Sequence, residues 1–203
     1  FTGNFGYSYE SNQKIETKIW SHLRWTLLLN VLALFIVFSI SIPIGVYSAV
    51  HQDSWLDRWG SLGLFMLYSL PSFWIATLLI IFFTTPEYGM DWFPTHGLGD
   101  VSEGDSFWDI FWMRAYHLVL PVFCMSYASL AFVSRQMRGG MIDVFQQDYI
   151  RTARAKGLAE KFVIWKHTFR NALFPIITLV ASIFPRLLAG SLVIEVIFSI
   201  PGM

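Results

Sequence analysis

Residues 26–50 read TLLLNVLALFIVFSISIPIGVYSAV and contain no charged side chain. At about 1.5 Å of rise per residue, a helix of this length exceeds the roughly 30 Å thickness of the hydrocarbon core of a bilayer. This run therefore predicts a transmembrane helix.

Three further runs extend the pattern along the chain. Residues 60–85 and 115–134 contain no charged residue, and residues 172–194 contain only Arg186. Each run is long enough to span a bilayer as a helix. The composition agrees, because 14% of the residues are charged, whereas a soluble domain has about a quarter of its residues charged. We therefore predict an all-α, polytopic membrane protein that forms a single transmembrane domain with four spans.

Each predicted span also contains a proline, namely Pro43, Pro71, Pro121 and Pro185 in turn. Proline is tolerated inside membrane helices because neighbouring helices satisfy the carbonyl groups that it leaves free. We therefore expect kinked helices at these positions rather than loops.

The charged residues divide unevenly between the two long connections. Residues 86–114 contain six acidic residues and one base, whereas residues 135–171 contain eight bases and three acidic residues. The positive-inside rule places the basic connection in the cytoplasm and the acidic one outside the cell. The turn at residues 51–59 is then cytoplasmic as well, although its own charges do not support this independently.

Motifs of catalytic and metal sites are missing from the sequence. It contains no GxxxxGK[ST] nucleotide motif, no HExxH pair and no GxSxG elbow. The five histidines lie in different segments, and the single cysteine, Cys124, lies in an apolar run. We expect no catalytic residue, metal or cofactor on this chain, and no nucleic-acid partner.

The basic connection has the pattern of two short helices. Residues 148–156 predict a first helix, and Gly157 can adopt the left-handed conformation that ends it. A second helix should follow, because Leu158, Phe162, Trp165 and Phe169 fall at helical spacing on one narrow stripe. From these residues alone, a cytoplasmic protein partner and an anionic lipid surface remain equally good explanations.

The stretch DYIRTARAKGL at residues 148–158 resembles the EAA loop of ABC importer permeases. Arg151, Thr152 and Ala153 stand where the general pattern has Glu-Ala-Ala, and Gly157 stands at its glycine. Arginine in the first place departs from the general pattern and resembles the dipeptide, oligopeptide and nickel permeases. The stretches RNALFP at residues 170–175, LPSFW at 70–74 and EVIFSIPG at 195–202 are similar to the same branch.

This resemblance implies the transmembrane domain of a type I ABC importer. Members of the family usually have six spans, so one helix is expected before Phe1 and one after Met203. The implied partners are a second permease subunit, two cytoplasmic ATP-binding subunits that carry ATP and Mg²⁺, and an external or periplasmic binding protein. The implied location is the inner membrane of a prokaryote, in the lipid bilayer as a multi-pass protein.

The resemblance also assigns roles within the loop, which would dock on the ATPase as coupling helices. Gly157 would set the angle between the two helices. Arg151, Arg154 and Lys156 would supply electrostatic contact, and Tyr149, Ala153 and Leu158 would supply apolar contact. The full candidate set is Asp148, Tyr149, Arg151, Ala153, Arg154, Ala155, Lys156, Gly157, Leu158 and Glu160.

Three residues are candidates for lining the translocation path. Arg186 could face the path and meet a peptide carboxylate, because intramembrane charges usually face a cavity or a partner. The alternatives are that it reaches the outer interface or pairs with a second permease. Ser72 and Ser126 could also line the path, although serine in membrane helices more often packs between helices.

The sequence therefore predicts a non-catalytic permease subunit of an ATP-driven, binding-protein-dependent importer of dipeptides or oligopeptides. An importer of nickel or another small solute is the alternative within the same family. A secondary transporter or channel that works without nucleotide is the alternative from a different class.

Overall fold

The computed structural model describes residues 5–8, 12–87, 89–102, 104–189 and 192–202, including their side chains except at 182–189. Over these residues the chain is mostly helical and has no β-strand, with one isolated antiparallel bridge between Tyr7 and Lys14. The predicted all-α fold class is confirmed.

The helices follow one another with short connections, except between α3 and α4. Their bounds are α1 Ile15–Val50, α2 Trp55–Ser69, α3 Ser72–Thr84, α4 Phe107–Phe145, α5 Asp148–Ala155, α6 Glu160–Phe162, α7 Phe169–Ala189 and α8 Leu192–Ile197. A π-helical segment, Val163–Thr168, joins α6 to α7.

Among the described residues, α1 and α4 are each long and apolar enough to cross a membrane. The pair α2 and α3 would be a third crossing if this broken pair forms one span. Helix α4 extends beyond the predicted limits of 115–134 at both ends. Charged residues set those limits, and charge ends an apolar run without ending a helix. The predicted span at 172–194 includes residues outside the described part, so the count of four spans stays a prediction.

Pro71 breaks a helix where the sequence predicted a kink. Leu70 and Pro71 both have extended backbone, with ψ of 133° and 138°, and separate α2 from α3. The residue before a proline is disfavoured in the α region, because the proline ring crowds its backbone. The prediction of a kinked continuous helix over 60–85 is therefore wrong. Pro43 and Pro121, in contrast, lie inside α1 and α4.

The chain divides into two compact units. The first, called here the loop unit, comprises residues 34–70 and 126–184. Its core consists of apolar residues from α1, α4 and α7, namely Val37, Val46, Ala49, Val133, Met137, Met141, Ala172 and Ile176.

Helices α1 and α4 approach each other closely within the loop unit. A Cβ added to Gly45 would lie 2.6 Å from Met137 Cβ and 2.7 Å from the Ser134 carbonyl oxygen. Polar contacts accompany this approach, since Ser41 Oγ donates to the Leu130 carbonyl oxygen at 3.0 Å. Small residues permit such close packing of helices in membranes. This contact fixes α4 on α1.

The second unit, called the terminal unit, comprises the described residues of 5–33, 71–125 and 185–202. Helix α3 packs against α8 in this unit. The connection between α3 and α4 is tied down by backbone contacts, because the Gly97 N–H donates to the Phe198 carbonyl oxygen at 2.8 Å. His117 Nδ1 lies 3.1 Å from the Gly97 carbonyl oxygen.

Candidate functional site

The predicted pair of short helices is present in the loop unit, and residues 146–168 are called here the helical loop. Its first helix, α5, begins with Asp148 in the first turn and has Arg154 in the last, which complements the helix dipole at both ends. Ile150 and Ala153, three residues apart, are buried on one side of α5. The remaining residues of α5 are exposed.

Gly157 ends α5 in the left-handed conformation that the sequence predicted, with φ at +76°. The Gly157 N–H donates to the Arg154 carbonyl oxygen at 2.9 Å, and the Leu158 N–H donates to the Ala153 carbonyl oxygen at 3.3 Å. This pair of hydrogen bonds defines a Schellman motif, which satisfies carbonyl groups that the helix end would leave free. The direction of the chain between α5 and α6 is therefore set by hydrogen bonds as well as by Gly157.

The second helix buries a different side from the predicted apolar stripe. Leu158, Phe162 and Trp165 are 39%, 58% and 51% exposed, whereas Val163, which lies off the stripe, is fully buried. Val163 forms a small core with Ile150 and Ala153. Helical spacing identifies an apolar stripe but does not show whether other residues of the chain cover it. Here Val163 is the one residue after Gly157 that belongs to the small core, so the stripe stays exposed.

An ion pair connects α5 to α6 across Gly157. Arg154 Nη2 donates to Glu160 Oε1 at 2.6 Å, and Arg154 Nε donates to Glu160 Oε2 at 3.2 Å. The Arg154 guanidinium also lies over the Phe145 ring, 5.4 Å from its centre. The hydrogen-bonded Glu160 carboxylate raises the pKa of Arg154 above its usual value. Arg154 and Glu160 therefore hold the two helices together within the chain.

Other residues of the candidate set are exposed. Arg151 makes only a long contact with Asp148, at 3.5 Å, and both side chains are mostly in solvent. Apart from Arg154, the large apolar and the basic side chains that are exposed in the helical loop are called here the exposed set, and they are Tyr149, Arg151, Lys156, Leu158, Lys161, Phe162, Trp165 and Lys166. Ala155 is also exposed, but Ala153 is buried in the small core, so we assign Ala153 to packing within the loop.

The helical loop is attached to the long helices on both sides. Val144 and Phe145, at the end of α4, pack against the core formed by Ile150, Ala153 and Val163. Gly140 lies close to the start of α7, since a Cβ added there would lie 3.2 Å from the Ala172 carbonyl oxygen. The helical loop is thus packed on the end of α4, and α4 in turn lies close to the start of α7.

Sequence reasoning missed an ion pair between α2 and α4. Arg138 Nε donates to Asp57 Oδ1 at 3.0 Å, and Arg138 Nη2 donates to Asp57 Oδ2 at 2.8 Å. Asp57 is buried, and it follows Ser54, whose Oγ accepts the Asp57 N–H at 3.2 Å. The Ser54-to-Asp57 spacing, typical of a helix start, was the one signal that Asp57 belongs to a helix rather than to a turn.

The candidates for the translocation path lie in different places. Ser72 is exposed in the first turn of α3, whereas Ser126 is buried in α4, which favours a packing role for Ser126. Arg186 lies in α7, and its side chain is outside the described part of the structure. Its predicted role stays a prediction.

Comparison with known proteins identifies the family. A family model described as a binding-protein-dependent transport system inner membrane component matches residues 41–203, which include the whole helical loop. The chain is 38% identical over 202 residues to the oligopeptide transport system permease protein AppB of Bacillus subtilis, covering 99% of this chain and 62% of that protein. It is 33% identical over 215 residues to the dipeptide transport system permease protein DppB of Alkalihalophilus pseudofirmus, covering 100% of this chain and 64% of that protein.

A third relative is the inner membrane ABC transporter permease protein YejB of Escherichia coli O157:H7, which is 34% identical over 206 residues, covering 98% of this chain and 55% of that protein. The chain thus spans between 55% and 64% of the length of these three relatives. The resemblance noted in residues 148–158 is confirmed, and this chain belongs to the family of binding-protein-dependent transport system inner membrane components.

Proposed function

We propose that this chain is the larger part of a permease subunit of an ATP-driven importer of dipeptides or oligopeptides, and that its helical loop docks on the ATPase. The exposed set of the helical loop carries this proposal, because it offers apolar and basic side chains on two helices that are fixed to α4. Relatives named as oligopeptide and dipeptide permeases support the choice of substrate.

The proposed complex contains four other kinds of participant. A second, homologous permease subunit forms the other half of the path, and two cytoplasmic subunits bind ATP and Mg²⁺. An external or periplasmic binding protein delivers the peptide, and the lipid bilayer surrounds the permeases in the inner membrane of a prokaryote. Permeases of this family are non-catalytic, so we assign the hydrolysis of ATP to the partner subunits.

Burial of the exposed aromatic residues would contribute substantially to docking. Trp165 is 51% exposed, so a partner that covers it removes on the order of 100 Å² of apolar surface from water. At about 25 cal/mol per Å², this burial stabilises the complex by about 2.5 kcal/mol, or roughly 60-fold in affinity. Phe162, which is 58% exposed, would contribute a similar amount.

The hydrogen-bonded geometry suits the transfer of motion rather than docking alone. The Schellman motif at Gly157 and the Arg154–Glu160 pair keep α5 and α6 in one arrangement, and the small core attaches them to α4. A displacement of the docked ATPase would therefore move α4 instead of deforming the loop.

The test is co-purification of the ATP-binding subunits with the full permease complex, followed by ATP-dependent peptide uptake in proteoliposomes. We expect Phe162→Ser with Trp165→Ser to release the ATP-binding subunits and abolish uptake. Trp108→Ser is the matched control, since Trp108 is at least as exposed, at 63%, but lies in the terminal unit. It should retain both properties.

Two results would contradict the proposal. One is that the double variant keeps the ATP-binding subunits, while a peptide of residues 146–168 that carries the two substitutions binds anionic vesicles more weakly than the unaltered peptide. The helical loop is then a lipid-binding surface. If peptide uptake continues in proteoliposomes that lack the ATP-binding subunits, the protein is a secondary transporter or channel.

A further inference from the structure

Helix α2 is attached to the loop unit by a buried carboxylate rather than by an apolar face. Asp57 is 5% exposed, and it is the single buried residue among those of α2, all of which the structure describes. Large apolar residues of the same helix, such as Leu62 and Phe65, are exposed. Helices in packed domains normally attach through an apolar stripe, so the position of α2 depends to an unusual degree on Asp57.

The Asp57 carboxylate accepts hydrogen bonds from three other parts of the loop unit. Arg138, on α4, donates to both oxygens at 3.0 and 2.8 Å in a forked arrangement. Ser48, near the end of α1, donates its hydroxyl group to Oδ1, and the Asp53 N–H donates to Oδ2 at 3.1 Å. Forked guanidinium–carboxylate pairs are directional as well as strong. The Asp57 cluster thus sets where α2 lies relative to α1 and α4.

Arg138 is connected to the helical loop by one continuous helix. It lies two turns, or about 10 Å, before Phe145 on the same uninterrupted helix, α4. Phe145 packs on the small core of the helical loop, and Arg154 of α5 lies over its ring. Helix α4 continues through Gly139 and Gly140 to Phe145 without a break, so a displacement of the helical loop that α4 follows as one unit also moves Arg138.

Helix α2 touches α4 again at its other end, and a cavity lies between the two contacts. The buried Tyr127 Oη, on α4, donates to the Leu70 carbonyl oxygen at 2.6 Å, just after α2 ends. The cavity has a volume of about 930 Å³, and its lining includes Tyr47 of α1, Phe65 of α2 and Phe132 of α4. A change in the position of α2 would therefore change the size of this cavity.

We infer that Asp57 and Arg138 are positioning residues for transport, through which α4 carries movement of the helical loop to α2 and so resizes the cavity. This inference rests on the proposed function, since it supposes that the helical loop is moved by an ATPase. The proposed function has the ATPase act on the helical loop. The inference adds that the Asp57–Arg138 contact, about 10 Å from this loop, passes the resulting movement of α4 to α2.

The experiment measures peptide taken up per ATP hydrolysed by the full complex in proteoliposomes. The variants are Asp57→Asn, Arg138→Gln and the double variant. Removing one partner of a buried ion pair leaves the other charge unpaired and destabilises the fold more than removing both partners. The double variant therefore allows the ratio to be measured even if a single variant fails to fold. Asp105→Asn is the matched control, because Asp105 also accepts a backbone N–H, that of Ser102 at 2.8 Å, but is exposed and lies in the terminal unit, away from the docking residues.

We expect each single variant to lower the uptake per ATP about fivefold or more, which is the lower end of measured couplings between sites. The double variant should show about the same loss as either single variant, because both residues act through one contact. The control should leave the ratio unchanged. The ratio is measured on purified complexes that retain all of their subunits, so that misassembled protein does not contribute to it.

An unchanged ratio in the double variant would overturn the inference. So would a loss in the double variant equal to the product of the two single losses, since that result assigns independent roles to Asp57 and Arg138. If the unaltered complex shows no ATP-dependent uptake, the proposed function is wrong. This result differs from an unchanged ratio in the double variant, which contradicts the inference about Asp57 and Arg138 alone.

Discussion

Replacing Gly157 by alanine tests the hydrogen-bonded end of α5. A Cβ at this position meets no atom within 4 Å, so the substitution acts through the backbone, whose φ is +76°. The left-handed conformation costs a residue with a Cβ about 1–2 kcal/mol. Alanine also restricts the unfolded chain, which offsets about 0.4–1 kcal/mol. The net destabilisation of the Schellman motif is therefore about 1 kcal/mol.

Amide hydrogen exchange measures this change directly. The amides of residues 157 and 158 donate the two hydrogen bonds of the motif, so their exchange reports its opening. A loss of about 1 kcal/mol raises the exchange rate roughly fivefold. Gly157→Asn should cost less, because asparagine tolerates the left-handed region.

Gly139→Ala is the matched control for this prediction. Gly139 lies in the interior of α4, and a Cβ added to it also meets no atom within 4 Å. Alanine should stabilise that helix by about 0.5–1 kcal/mol, and loop exchange should not increase. If Gly157→Ala exchanged no faster than the unaltered protein, the left-handed glycine would not be what holds the two helices in their arrangement.

Three further predictions concern contacts within the loop unit. Arg154→Gln should loosen the link to Glu160 by only about 0.2–1 kcal/mol, because both side chains are about half exposed, and hydrogen exchange in α6 checks this. Ile150→Ala should lower the free energy of unfolding by about 2–5 kcal/mol, because Ile150 is fully buried, and should release the ATP-binding subunits on purification. Tyr149→Ala should leave folding unchanged, because Tyr149 is exposed. Gly45→Ala should lower the thermal stability of the complex by about 1–3 kcal/mol, because its Cβ would overlap Met137.

The sequence predicted those features that depend on one segment of chain. The charge-free run at 26–50 lies within α1. It could be predicted because the length of an apolar run alone decides whether a helix can match the bilayer. Gly157 was located for a similarly local reason, since few residues other than glycine end a helix in the left-handed conformation. The family was identified from residues 148–158 because the whole pattern of the EAA loop lies within that one short stretch.

Features that depend on distant parts of the chain were missed. The hydropathy of residues 60–85 is continuous across Pro71, but the backbone is not, because the proline ring acts on Leu70 whatever the surrounding polarity. The apolar stripe of Leu158 and Trp165 was found, but its exposure depends on which residues pack against α4. Asp57 and Arg138 are 81 positions apart, and nothing local to either residue reveals the pair.

The Asp57 cluster also explains how α2 can be positioned while most of its surface is exposed. Apolar burial is non-directional, so an apolar face would allow α2 to slide or rotate at small cost. A forked ion pair holds only over a narrow range of distance and angle. With Asp57 fixed at one end and the Leu70 carbonyl bonded to Tyr127 at the other, α2 follows α4 without an apolar core between them. The space that such a core would fill is instead the cavity of about 930 Å³.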